Sequence, residues 1–267
     1  MASKKSAVVA PKETGIITTH PYKDVSMTFD VSRHLFSVGG PFIQKKFKTL
    51  DHRPKSVTGF TKAVDKSFAL MSWQERITKE HLLMKLKSKV VITEDIVIEA
   101  TGLHRVRKQE AATAGTIAHK WAEDFAKGLN PPMPEDEKVK NAVLAFLKWL
   151  DEEKFKIKIG EKHLYSKKYD YAGIADAVAT RKGKTALIDY KTSSGIYDEM
   201  MFQVSAYANA LDEMGIKVDE RWIVRFDKES GDFFPVPCTN QKADFDAFLG
   251  CRAIVLRQEE IKKEKGF

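Results

Sequence analysis

Residues 171–191 read YAGIADAVATRKGKTALIDYK. Tyr171 to Thr180 is a strand-like run of small and apolar residues, Arg181-Lys182-Gly183-Lys184 is a polar turn, and Thr185 to Lys191 is a second strand-like run. The short connection predicts adjacent antiparallel strands that bring Asp176 and Asp189 close together. Side chains alternate along a strand, so Asp189 and Lys191 share a face. Two carboxylates on one face repel unless a proton or a cation lies between them. Hard oxygen ligands suit Mg²⁺ or Mn²⁺. Each feature also has an ordinary reading: Asp189 and Lys191 as a surface ion pair, Asp176 as a solvated strand residue.

The flanking sequence extends this pair into a layered fold. Phe155 to Tyr165 reads as a further strand ahead of the pair. Upstream, Ala111 to Lys127 is a predicted helix with Ile117, Trp121 and Phe125 four residues apart, ended by Asn130-Pro131-Pro132. Glu135 to Glu153 is a second, with an acidic start and a stripe of Val139, Val143, Leu147 and Leu150. Downstream the pattern predicts a helix over 197–214, strands over 221–226 and 232–236, and a helix over 243–262. Helices, a three-strand meander, then helix, strands and helix make an α/β or α+β sandwich.

The N-terminal part reads differently. Met1 to Thr19 has the composition of a disordered tail, with no secretory hydrophobic stretch and no arginine before Arg33, which points to an intracellular protein. Met27 to Phe47 predicts one or two strands with a turn at Gly39-Gly40-Pro41. Ser56-Val57-Thr58 offers helix N-caps, followed by helices near 59–67 and 68–88. In the second helix Leu70, Trp73, Ile77 and Leu82 to Leu86 recur at helical spacing beside Lys79, Lys85 and Lys87.

Composition narrows the function classes. The chain has 267 residues, 43% hydrophobic and 31% charged, as in globular rather than disordered proteins. No apolar run approaches the ~18 residues of a membrane helix. Cys238 and Cys251 are too few for a disulfide scaffold, a four-cysteine zinc site or an iron–sulfur cluster. The net charge of +8 is unevenly spread. Residues 1–110 carry 20 basic and 11 acidic side chains, whereas 111–267 carry 25 and 26. A basic half beside a neutral one suits a polyanion such as nucleic acid, or a solvated surface that aids solubility.

Three further residues enter by position. His119 lies in Gly115-Thr116-Ile117-Ala118-His119 on a predicted helix, and Gln203 and Tyr207 share a helix face. The ordered set His119, Gly173-Ile174-Ala175-Asp176, Ile188-Asp189-Tyr190-Lys191-Thr192-Ser193, and Gln203 with Tyr207 resembles the RecB-type branch of the PD-(D/E)XK nucleases. It is similar to the group of mitochondrial genome maintenance exonucleases and their phage and bacterial relatives. Pro54-Lys55-Ser56-Val57-Thr58, ahead of Trp73 and Arg76, resembles the segment preceding the core in that group, so the likeness spans about residues 54–212.

The resemblance implies an α/β fold with a restriction-endonuclease-like core, a mixed central sheet flanked by helices, and a basic N-terminal helical extension. Composition and charge divide the chain into a tail over 1–20, a basic strand/helix extension over 21–110 and, with the resemblance, a nuclease core over 111–267. The resemblance also implies that His119, Asp176, Asp189 and the Tyr190 carbonyl hold Mg²⁺ or Mn²⁺, that Lys191 orients the attacking water, and that Gln203 and Tyr207 position Lys191 or the strand. Glu161 matches an acid found on the first core strand of the branch. The implied activity is a metal-dependent DNA exonuclease on single-stranded ends, in a setting of DNA repair or recombination with replication or recombination proteins as partners. Phe60, Phe68 and Trp73 could stack bases or fill the core. The alternatives are a double-strand exonuclease working with a recombinase, or a non-cleaving DNA-binding protein on a nuclease-like fold. The cysteines of iron–sulfur relatives are missing, as is a helicase P-loop.

Overall fold

The computed structural model describes residues 15–193, 195–226 and 233–266, except for the side chains of 68–69, 107–116 and 233. It is a mixed α/β structure containing two sheets.

The first sheet is N-terminal and antiparallel. Strands β1 (Ile16–Tyr22), β2 (Val25–Asp30), β3 (Leu35–Gly39) and β4 (Asp51–His52) follow one another in order. β1 begins inside the segment whose composition suggested a tail, because its side chains are mostly exposed and its order comes from pairing with β2. Helix α1 (Pro41–Phe47) replaces the second strand expected after Gly40. Pro41 sits where a missing N–H costs nothing. Gly40, at φ 104°, lets the chain pass Asp24, whose carbonyl would lie 2.7 Å from an added Cβ.

The second sheet carries β5 (Lys55–Ser56), β6 (Lys156–Ser166), β7 (Tyr171–Arg181), β8 (Lys184–Lys191), β9 (Glu220–Phe226) and β10 (Phe233–Pro237). β6, β7 and β8 form the expected meander, and β9 adds parallel to β8. β10 closes the edge, where Pro235 and Pro237 remove donors that a foreign strand would need. One edge of β7 is divided between two strands. β6 pairs along its other edge from Tyr171 to Thr180, β8 takes Ala177–Arg181, and β5 takes Tyr171 and Ala172 in parallel. Gly173 to Asp176 lies in the gap where β5 and β8 part.

Seven helices flank these sheets among the described residues. Besides α1 they are α2 (Val57–Thr61), α3 (Ser67–Lys87), α4 (Glu94–Ala126), α5 (Glu137–Glu152), α6 (Asp198–Glu213) and α7 (Gln241–Glu264). The Ser56 hydroxyl caps α2 by accepting from Gly59 N–H at 3.0 Å, as the sequence suggested. α4 and α5 cover one face around Trp121, Phe146, Trp149 and Tyr190, and α2, α6 and α7 cover the other around Phe60, Leu187, Tyr207 and Phe248. The residues 55–61 therefore belong to the core, although the charge division placed them in the N-terminal extension. Phe60 is 1% exposed and packs edge-on to Phe248, so it fills the core and is closed to base stacking. Trp73 is half-buried, and the side chain of Phe68 lies outside the described ones. Among the described residues, no helix is long and apolar enough to cross a membrane.

Candidate metal centre

The gap in β7 creates the geometry of the candidate site. The last regular pair of β7 and β8 is Ala177 with Ile188, so one step further sets Asp176 opposite Asp189. There the ladder bond gives way to a side chain: Tyr190 N–H donates to Asp176 Oδ2 at 2.8 Å. Asp176 and Asp189 are 8% and 1% exposed, too deep for two unpartnered charges. Two cations meet them, one from α4 and one from the strand of Asp189 itself. His119 Nε2 on α4 lies 3.0 Å from Asp176 Oδ1, and Lys191 Nζ ion-pairs with Asp189 Oδ2 without hydrogen-bond geometry. The Tyr190 ring points into the α5 face against Phe146 and Phe226 and stands edge-on to the His119 ring, 6.3 Å between centroids.

Two glycines allow these approaches. An added Cβ on Gly160 of β6 would lie 2.7 Å from Ala126 Cβ, so its absence lets the end of α4 lie against the sheet. A Cβ on Gly173 would lie 2.5 Å from Tyr207 Cε1, so the Tyr207 ring of α6 packs directly over the gap. Gln203 Nε2 donates to the Tyr207 hydroxyl at 2.7 Å. Among the described residues no hydrogen bond joins this pair to Lys191. The structure thus gathers His119, Asp176, Asp189, Lys191 and the Tyr190 backbone, and sets Gln203 and Tyr207 beside them as a separate pair.

Two further acids lie next to the cluster, Glu161, which the resemblance named, and Glu123, which it did not. Glu123, one turn after His119, places Oε1 3.7 Å from its Nε2, and that i,i+4 relation was legible in the sequence. Glu161 stands opposite Asp176, between the pairs Gly160–Ala177 and Lys162–Ala175, and binds Lys127 Nζ at 2.7 Å. Its φ of 50° is a left-handed conformation uncommon for a residue with a side chain. Glu199, at the start of α6, is buried and ion-pairs with Lys66 at the start of α3.

Proton affinities follow from these contacts. The Asp176 carboxylate raises the His119 imidazole to about 9, against the opposing effect of burial. Burial is the largest single influence and would raise Asp176, but the charge and hydrogen bond of His119, the Lys191 charge and the Tyr190 N–H together outweigh it and hold that carboxyl below its ordinary range. Asp189 is pushed up to about 6 by burial, with Lys191 opposing and Asp176 adding repulsion. Burial is the largest single influence and would lower Lys191, yet the carboxylates of Asp189, Asp176 and Glu199 together outweigh it and keep the ammonium charged. Burial pushes Glu123 up to about 7, whereas the neighbouring His163 ring and the hydrogen bond from Lys127 bring Glu161 down to about 2. Of the two strand carboxylates, Asp189 is the more easily protonated.

Among the described residues, no group of three or more His, Cys, Asp or Glu side chains is arranged as a metal site. The donor chemistry nevertheless suits a hard divalent ion. The 3.0 Å between His119 Nε2 and Asp176 Oδ1 is close to the ~2.9 Å edge that adjacent ligands span around an octahedral Mg²⁺. As the site stands, the imidazole proton and Lys191 supply the positive charge.

No protein-family model matches this chain, and no curated protein matches it. A crystal structure of SSO0001 is similar over 45% of this chain, at 13% identity and a TM-score of 0.28. The match covers 62% of that protein, less than two thirds of its length. A likeness this slight carries no argument about this chain.

Proposed function

We propose that the protein is a metal-dependent nuclease on a PD-(D/E)XK-type core that hydrolyses DNA from single-stranded ends. The observation that carries this reading is the meeting of His119, Asp176, Asp189 and Lys191 from three separate elements at one sheet gap. An imidazole, two buried carboxylates and a half-buried ammonium form a costly group to assemble for stability alone.

In this reading His119, Asp176, Asp189 and the Tyr190 carbonyl hold Mg²⁺ or Mn²⁺. When bound, such an ion lowers the pKa of water and offsets charge on phosphoryl oxygens. The chain's own residues do the rest. Lys191 keeps its proton, so it orients the attacking water and stabilises negative charge developing at phosphorus. Asp176 ties its carboxylate to the Tyr190 N–H and so fixes the direction of the His119 ring. His119 must give up its proton to act as a ligand, which makes metal affinity rise with pH. Of the hydrogen-bonded pair beside the gap, Tyr207 is buried and holds the half-buried Gln203 in place, and Gln203 is the member suited to meet a sugar–phosphate strand. Basic residues of the N-terminal half neutralise backbone phosphates without reading sequence.

The deciding experiment is a Mg²⁺-dependent digestion of single strands labelled at either end in turn. The expected result is stepwise loss from one labelled end, abolished by chelation. Covalently closed single-stranded circles cut as fast as linear strands would contradict an end-dependent enzyme.

A second reading, a DNA-binding protein that does not cut, is favoured by the self-neutralised state of the cluster. His119 pairs with Asp176 and Lys191 with Asp189, a network complete without a metal. Absence of any Mg²⁺- or Mn²⁺-dependent cleavage, with strand binding retained, selects it.

A further inference from the structure

The helical hairpin of α3 and α4 ends in a surface that the rest of the chain leaves uncovered. α3 packs chiefly along α4, and its N-cap Lys66 ion-pairs with Glu199 of α6. Their shared face is thin: Ile77 and Ala100 are its buried apolar residues, and Thr78 Oγ1 donates to Ala100 O at 3.3 Å. Toward the tip, Leu83, Met84, Leu86, Val91, Val97 and Ile98 are between 42% and 79% exposed. A helix with apolar side chains on several sides belongs in an interior.

The charges around this tip say what fits over it. The end of α3 and the turn after it carry Lys79, Lys85, Lys87 and Lys89, and the start of α4 carries Glu94, Asp95 and Glu99. Lys85 and His81 reach Glu99 within the hairpin, at 3.7 and 3.4 Å. Among the described residues Lys87, Lys89, Glu94 and Asp95 form no ion pair. A nucleic acid or an anionic bilayer would suit the lysines and be repelled by the three acids. A second copy turned by a two-fold axis suits both, since the basic end of α3 then faces the acidic start of the other α4. Isologous contacts are self-complementary in this sense.

We propose that two copies of this chain associate through their α3–α4 tips into a four-helix contact. Two such hairpins complete the core that one cannot. At on the order of 100 Å² for each half-exposed aliphatic side chain, the six named residues supply most of the ~800 Å² per partner that stable interfaces bury. This association is independent of whether the metal centre cuts DNA.

Sedimentation velocity of the full chain over a wide concentration range tests it. The expected result is a concentration-dependent dimer. The paired reversal Lys87→Glu with Lys89→Glu weakens it about tenfold, as does Glu94→Lys with Asp95→Lys, and combining all four restores it. These exposed reversals keep the fold, which far-ultraviolet circular dichroism verifies. The apolar variant Leu83→Glu with Ile98→Glu gives a monomer. A wild-type monomer at every concentration overturns the proposal, as does a dimer indifferent to all of these changes. Equally fatal is a monomer whose hairpin variants lose binding to single strands or to anionic vesicles, because the tip then has a different occupant.

Discussion

His119 Nε2 lies 3.0 Å from Asp176 Oδ1, so a helix that begins at Glu94 and a strand that begins at Tyr171 meet at one hydrogen bond. The contact makes His119 part of the same charge group as Asp189 and Lys191. If that group is catalytic, Asp176→Ala, Asp189→Ala and Lys191→Ala each lower Mg²⁺-dependent cleavage by roughly a thousandfold, with strand binding largely retained. Steady-state digestion and a filter-binding assay read the two separately. Normal turnover by purified Asp189→Ala protein would falsify the role given to that carboxylate.

Removing Lys191 exposes the repulsion that it offsets. In the metal-free protein, Lys191→Ala leaves the buried Asp189 without its ammonium and is expected to cost about 3 kcal/mol of stability. Mg²⁺ or Mn²⁺ restores part of this loss if the ion takes the place of the missing charge. Thermal melting with and without the ion checks both statements, and a melting point that no divalent ion moves argues against a metal centre.

The pH dependence has a definite sign. His119 is held at about 9, above its free value, so the stabilisation it gives is complete below about 6.5 and disappears as pH climbs through 9. Glu123, raised to about 7, acts in the same direction at lower pH. The His119 side chain is 39% exposed and screened by water, so its share is about 1 kcal/mol, less than the shift alone implies. Denaturant midpoints of the metal-free protein therefore fall between neutrality and pH 9. His119→Gln flattens that slope, and an unchanged slope removes the ion pair from the account.

The meander and the helices on either side of it were legible because their signals are local. β7 and β8 were marked by small and apolar runs around a Gly-containing turn, and α5 by a continuous apolar stripe. The N-terminal part hid its structure because its order comes from distant partners. β1 has a tail-like composition and is fixed by β2, and β5 is two residues long and is defined by β7. The leucines of α3 have helical spacing yet mostly stay exposed, since periodicity shows a face without showing what covers it. Asp176, Asp189 and Lys191 were readable from strand alternation. Tyr190's backbone role rests on a side chain replacing a ladder bond, which no spacing announces.

Gly173 gives a steric test of the gap. Gly173→Ala drives a methyl group into the Tyr207 ring and should cost about 1–3 kcal/mol, as overpacked cores do. Tyr207→Ala in the same chain should recover much of that loss, because it removes the atom struck. A double-mutant cycle on unfolding free energies measures the coupling, and additive losses show that the ring does not set the requirement for glycine.

Deleting residues 1–66 removes β5 and α2 and bares the core around Leu187 and Phe248. The remaining chain should aggregate on expression, which soluble yield and light scattering reveal. A soluble, cooperatively melting fragment would show that the first 66 residues are a separable module.

The divided edge of β7 has a consequence for solvent exchange. Residues in the middle of a sheet ordinarily keep their amide protons for as long as the whole molecule stays folded. Between Gly173 and Asp176 the neighbouring strands have already parted, and alternate amides there have no ladder partner on that side. Deuterium should enter this short stretch at a pace normally seen at a sheet's rim, while the flanking amides of the same strand stay protected.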